Sequence, residues 1–303
     1  MQRIIVIVGP TASGKSELAV QIAKKFNGEI ISADSRQVYH GLDIGTAKVP
    51  GAWKNSVFLY KKIPHHCIDF VSPRRQYSAA QFQHCAQNAI ADMTARGKLP
   101  IITGGTAFWI DAVVYGMELP EVPLDLRERA RLEKKSAAQL LATLTKLDPR
   151  RAAGIEQKNP RRLIRAIEIA RALGSVPRLK KRARFHALWI GITPPRKTLE
   201  KKIRIRLAER IHAGMIQEAR MLRQKGMSWK RFYELGLEYG FLADLLRGKT
   251  TKKEMASGLE RAILKYAKRQ MTWWRRNKEI RWIARPDTRA AEALVQKFIT
   301  GLR

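Results

Sequence analysis

The chain has 303 residues, 45% of them hydrophobic, a composition that fits a globular protein with room for one large domain or a domain carrying an insertion. Lysine and arginine outnumber aspartate and glutamate 59 to 26, and the formal net charge of +33 exceeds what solubility needs, so a polyanionic partner is expected, nucleic acid first. No apolar run is long enough for a bilayer and no signal-peptide pattern is present, while Cys67 and Cys85 match neither a zinc site nor a disulfide framework, so a reducing cytoplasm without membrane attachment is expected.

Residues 4–8, IIVIV, read as a buried strand that ends in GPTASGKS, which is Gly9, Pro10, Thr11, Ala12, Ser13, Gly14, Lys15 and Ser16. This fits GxxxxGK[ST], for which a nucleotide such as ATP is the usual ligand. Gly9 and Gly14 let backbone amides turn inward around a phosphate, the following helix adds its positive N-terminus, Lys15 adds a point charge, and Ser16 can hold magnesium. Leu18, Ala19, Ile22, Ala23 and Phe26 then recur at helical spacing. A second strand, residues 29–33, runs into Asp34, Ser35, Arg36, Gln37 and Tyr39. Asp34 at a strand's carboxyl end near Lys15 is placed to accept a proton or to help order magnesium. Ser35 and Gln37 offer paired donors and acceptors suited to a base edge.

His65 and His66 lack companions at metal spacing and read as structural or substrate-lining. Ser78 caps a helix whose apolar face carries Phe82, Cys85, Ala86, Ala89, Ile90 and Met93, and Gly97 closes it. A third strand, residues 99–103, leads into Gly104, Gly105 and Thr106. This alternation predicts a doubly wound α/β fold: a parallel sheet with helices on both faces and Lys15, Asp34 and Thr106 converging beyond the carboxyl ends of the strands.

Residues 120–182 carry helical patterns only, which predicts an all-helical insertion between a first core segment, 1–119, and a second, 183–303. Ser136 and Gln139 form a capping box ahead of Leu140, Leu141, Leu144 and Leu147, and Asn159-Pro160 starts a helix that Gly174 ends. On that helix Arg161, Arg162 and Arg165 share a face opposite Leu163, Ile167 and Ala170, consistent with phosphate contacts. A fourth strand is expected at 187–192, long helices from Thr198, and a short strand at 280–283. Residues 259–285 interleave basic residues with Tyr266, Trp273, Trp274 and Trp282, which suits backbone neutralisation, although such aromatics more often pack than stack on bases.

Taken together, GPTASGKS, DSRQVY followed by GLDIGTAK, PHHCID, YSAAQF, GGT, NPRRLIRAIEI and YAKRQMTWWRR, in this order, resemble the bacterial tRNA dimethylallyltransferases over essentially the whole chain. The resemblance implies a P-loop NTPase-like fold whose loop grips the diphosphate of dimethylallyl diphosphate rather than a nucleoside triphosphate. It implies Asp34 as general base on the exocyclic amino group of an adenosine beside the anticodon, and Thr106 in contact with the same flipped-out nucleotide. Lys15, Ser16 and Arg206 would hold diphosphate and Mg2+. Asp34, Ser35, Arg36, Gln37, Thr106, Arg127, Arg161, Arg162, Leu163, Ile164 and Arg165 would touch the anticodon stem-loop of tRNA, with no obligate protein partner and a monomeric state.

Three positions depart from the family pattern: Ala107 and Trp109, where glycine and tyrosine are common, and Gly240, where a charged residue is frequent. Two rival readings use the same residues. A small-molecule or nucleoside kinase would share the loop and use Asp34 to activate a hydroxyl, yet would have no use for a net charge of +33. A non-catalytic, nucleic-acid-binding nucleotide switch would need the loop and the basic helices but leave Asp34 and Thr106 without a task.

Overall fold

A computed structural model describes residues 1–301 of the chain. Its backbone contacts separate a unit formed by Met1–Gly116 with Ala183–Arg303, of which 302 and 303 lie outside the described residues, from a second unit, Met117–Arg182.

The first unit is built on one eight-stranded sheet. Its strands are β1 (Arg3–Val8), β2 (Gly28–Ser32), β3 (Ala52–Lys54), β4 (Val57–Tyr60), β5 (Ile63–His66), β6 (Leu99–Thr103), β7 (His186–Ile192) and β8 (Arg281–Ile283). They lie in the order β3-β4-β5-β2-β6-β1-β7-β8. From β5 to β8 every pairing is parallel, as the alternation of strand and helix patterns requires. In β1, Ile4, Val6 and Val8 enter one apolar cluster and Ile5 and Ile7 another, because a strand covered on both faces sends alternate side chains to opposite layers.

At one edge the sheet departs from the expected parallel pattern: β3, β4 and β5 pair antiparallel. Two tight turns make this meander, Asn55-Ser56 and Lys61-Lys62, with all four residues at positive φ. Such two-residue turns match the twist of the flanking strands. Strands of three or four residues are too short for a period to register, and Lys-Lys carries no turn signature, so the sequence concealed them.

Helix boundaries follow local chemistry. The helix Ala79–Ala95 begins on a capping box in which the Ser78 hydroxyl accepts the Gln81 N–H and the Gln81 side chain accepts the Ser78 N–H. Among the described residues no helix is long and apolar enough to cross a membrane. The two cysteines correct an expectation: Cys67, just after β5, and Cys85, on the helix Ala79–Ala95, are joined as a disulfide with Cα atoms 6.3 Å apart. A single pair spaced by 18 residues matches no framework pattern, and only the packing of that helix against the loop after β5 brings them together.

The second unit is all helical around its own apolar cluster of Leu140, Leu144, Leu163, Ile164 and Ile167 with their neighbours. The helix Ala137–Leu147 starts on the Ser136–Gln139 capping box. Pro160–Leu173 starts where the Asn159 side chain accepts the Arg162 N–H, and stops at Gly174 with φ 79°. Leu163 and Ile164, which the resemblance puts among the tRNA-touching residues, have both side chains buried in this cluster. Arg165 also turns inward in part, donating to Val122 O at 3.0 Å and to Glu168 at 3.1 Å. Arg127, Arg161 and Arg162 are exposed, with Arg162 3.0 Å from Glu156.

Candidate active site

Sheet order makes β2, β6 and β1 neighbours, so the loops beyond their carboxyl ends share one crevice. There a cavity of about 70 Å3 is lined by Thr11, Lys15, Ser16, Asp34, Gln37 and Arg206, among others. Its far wall is the loop 43–47, represented by Thr46 and Ala47.

The phosphate loop enters the helix Lys15–Lys25 through Gly14, whose φ of 93° is a backbone state that a side chain would strain. Within the loop, Ser13 N–H donates to Pro10 O at 3.2 Å. Lys15 Nζ reaches Pro10 O at 3.3 Å, and Arg206 donates to the Thr11 hydroxyl at 2.5 Å. Two cations are thus gathered at one loop. Burial, and then the Arg206 guanidinium, pull Lys15 down to about 8, with the Asp34 carboxylate opposing the shift. Burial and the neighbouring Arg210 bring Arg206 down to about 10. Burial disfavours both charged forms, with Arg206 adding to it at Lys15 and Arg210 adding to it at Arg206, and an incoming anion relieves that.

Across the cavity, Asp34 Oδ1 accepts the Arg36 N–H at 2.9 Å, which fixes the carboxylate. The Thr106 hydroxyl accepts the Ser35 N–H at 2.9 Å, and Thr106 N–H donates to Ala33 O at 3.0 Å, so the GGT turn and the DSRQ turn are tied together. Gln37 has its carboxamide occupied within the protein: Nε2 donates to Thr46 O and Ala47 O at 3.3 and 3.2 Å, and Oε1 accepts the Ser32 hydroxyl at 3.3 Å. It therefore shapes the cavity wall. His65 is buried, its Nδ1 2.9 Å from Ile63 O, and it lines the cavity.

Several residues that organise this crevice were not singled out in the sequence. Glu218 is buried and accepts the N–H groups of Asp43, Ile44 and Gly45 at 2.8, 2.7 and 2.9 Å, together with the Tyr239 hydroxyl at 2.8 Å. Arg210 donates to Ile44 O at 2.8 Å and to Gly45 O, and pairs with Glu238 at 3.0 Å. Lys48 Nζ donates to Tyr39 O, Asp43 and Asp69 at 2.7, 2.6 and 2.5 Å. The GLDIGTAK segment is thus clamped from three sides. Glu218, between Met215, Ala219 and Leu222, and Arg210, after Ile203 and Leu207, are charged residues on otherwise buried helical stripes, and that break in apolar periodicity is the signal available in sequence.

Of the expected tRNA-contacting residues, Asp34 to Gln37 and Thr106 stand at this crevice, while Arg127, Arg161, Arg162 and Arg165 belong to the unit Met117–Arg182. Trp274 is fully buried and packs against Trp189 with ring centroids 6.2 Å apart, and Trp109 stacks on Phe82 at 4.4 Å, so both are packing residues. At Gly240 an added Cβ would meet only Tyr233, at an ordinary 3.9 Å, so the helix there has room for a side chain.

Known proteins resemble the chain along nearly its whole length. The family model described as IPP transferase matches residues 37–277, and that described as isopentenyl transferase matches residues 2–52. A tRNA dimethylallyltransferase 2 from Shewanella sediminis is 41% identical over 90% of this chain and 89% of its own length. The crystal structure of the full-length tRNA isopentenylpyrophosphate transferase of Bacillus halodurans superposes with a TM-score of 0.72 at 34% identity, covering 99% of this chain and 96% of that one. A eukaryotic dimethylallyltransferase whose structures are described as snapshots of it acting on tRNA gives a TM-score of 0.83 at 27% identity, over 99% of this chain and 80% of that one. The fold is P-loop NTPase-like, and the chain belongs to the IPP transferase family.

Proposed function

We propose that this chain transfers a dimethylallyl group from dimethylallyl diphosphate to the exocyclic amino group of the adenosine beside the anticodon of tRNA. The observation that carries the reading is the pairing of two crowded cations, Lys15 and Arg206, with a fixed carboxylate, Asp34, around one cavity in a member of this family. An allylic diphosphate departs readily once its charge is neutralised, which is work for Lys15, Arg206 and the amides of the phosphate loop. The adenine nitrogen attacks C1 of the donor, the C1–O bond breaks, diphosphate leaves, and the nitrogen's proton passes to Asp34. Arg36 N–H holds one oxygen of that carboxylate and thereby orients the other. A base inside a stack cannot be reached, so the nucleotide enters the crevice extruded, toward the Thr106 side.

Magnesium fits the donor set. The Ser16 hydroxyl lines the cavity beside Lys15 and is a hard oxygen of the kind this ion takes beside phosphate, which leaves Asp34 free to act as the base. Bound there, it would add charge neutralisation to the diphosphate. Arg127, Arg161 and Arg162 supply exposed cations for the tRNA backbone. A cytoplasmic location agrees with a tRNA substrate. The kinase alternative gains no support from family membership, and it makes a different product.

The test is a single-turnover reaction with undermodified tRNA and labelled dimethylallyl diphosphate, run with and without excess ATP. Label transferred to tRNA and insensitive to ATP supports the reading. Phosphoryl transfer from ATP with no labelled tRNA would overturn it.

A further inference from the structure

The long helix Lys252–Trp274 carries a buried stripe of Met255, Leu259, Ile263, Ala267 and Trp274, and Gln270 sits within it. A carboxamide there must find partners, and Gln270 finds them on two different loops. Its Oε1 accepts the N–H of Thr11, in the phosphate loop, at 2.8 Å. Its Nε2 donates to the carbonyl of Gly105, in the GGT turn, at 2.9 Å. One turn earlier on the same helix, the Tyr266 hydroxyl donates to the same carbonyl at 3.1 Å. The approach is close enough that a Cβ on Gly105 would come within 2.6 Å of Gln270 Nε2. Absence of a side chain at Gly105 is what lets the carboxamide through.

These contacts join the two halves of the chemistry. Thr11 carries on its hydroxyl the Arg206 guanidinium, and Gly105 precedes Thr106, whose hydroxyl receives the Ser35 N–H next to Asp34. We propose that Gln270 is a positioning residue that, with Tyr266, sets the distance between the diphosphate-holding loop and the Asp34–Thr106 side of the crevice. The inference rests on the prenyl-transfer reading above. A glutamine suits the task because it gives and takes one hydrogen bond from one planar group; a glutamate could accept from Thr11 but not donate to Gly105 O. Neither side chain needs to touch donor or base. Transfer depends on the reacting atoms meeting at the right separation, and misplacement by about 1 Å costs on the order of a hundredfold.

Gln270→Met keeps the length and removes both hydrogen bonds, and Tyr266→Phe removes a single hydroxyl. For each variant and the parent, donor affinity, tRNA affinity and the single-turnover transfer rate at saturating donor and tRNA are measured, with thermal unfolding as the control for folding. Gln270→Met is expected to slow the saturated rate about 10- to 100-fold, and Tyr266→Phe about 3- to 10-fold, while both affinities stay within about threefold of the parent. Saturated rates within about threefold of the parent in both variants would overturn the proposal, as would a fall in donor affinity that accounts for the whole loss. If Gln270→Met does not fold, Tyr266→Phe alone decides by the same criteria. Failure of the parent to prenylate tRNA would instead remove the prenyl-transfer reading itself.

Discussion

Donor binding should be coupled to proton uptake at Lys15. In the absence of an anion, burial and Arg206 bring the Lys15 ammonium down to about 8, so its charge is lost within an ordinary assay range. If only the protonated side chain grips the diphosphate, affinity scales with the protonated fraction. For a group titrating near 8 that fraction falls from roughly nine-tenths at pH 7 to roughly one-tenth at pH 9. Affinity should therefore fall about tenfold across this window, or about 1.4 kcal/mol, and binding above pH 8 should draw a proton from solution because the anion restores the charged form. Arg206, at about 10, keeps its charge through the same window, so the loss belongs to Lys15. Titration calorimetry with dimethylallyl diphosphate and magnesium, without tRNA, in buffers of different ionisation enthalpy reads both affinity and proton uptake. Lys15→Met should bind more weakly and lose most of the pH dependence. Equal affinity at pH 7 and pH 9 in the parent, with no proton uptake, would refute a diphosphate seated on this ammonium.

Other outcomes follow from the same geometry. Asp34→Asn keeps an oxygen to accept the Arg36 N–H but loses basicity, so single-turnover transfer should fall about 100- to 10,000-fold while tRNA affinity by filter binding changes little. Glu218→Gln can turn its NH2 toward the Tyr239 hydroxyl, which accepts as well as donates, and so strands only the Gly45 N–H of the four donors now satisfied; it should cost about 1–3 kcal/mol in urea unfolding, and a loss below about 0.5 kcal/mol would remove the clamp on the 43–47 loop. Replacing Arg161 and Arg162 together with alanine should lower the slope of log affinity against log salt by about one to two, and an unchanged slope would leave them as solvated surface.

The parallel part of the sheet was legible because β1, β2, β6 and β7 are buried runs that end in small or polar clusters, and the phosphate loop was legible because strand and helix flank it as its chemistry requires. Caps at Ser136 and Asn159 were written locally and the helices start there. What escaped was set by contacts between distant residues. The antiparallel edge depends on two turns without glycine, and the Cys67–Cys85 link on helix packing against a loop. Arginines on the helix Pro160–Leu173 looked alike in sequence, yet Arg165 donates to Val122 O while Arg161 and Arg162 face outward. The polar residues that brace the crevice, Glu218, Arg210 and Gln270, each interrupt an apolar stripe, but nothing in the sequence says which loop each one reaches. The family resemblance named the candidate reacting groups, and only the fold placed the residues that pack behind them.

The most direct measurement is the identity of the product. tRNA reacted with the protein and dimethylallyl diphosphate is digested to nucleosides and examined by mass spectrometry, alongside a tRNA in which the adenosine next to the anticodon is replaced by guanosine. The expected result is one adenosine per tRNA bearing a five-carbon group on its exocyclic nitrogen, absent from the substituted tRNA and from reactions with Asp34→Asn. Unmodified nucleosides from both tRNAs, or a prenyl group at any other position, would contradict the function proposed for this crevice.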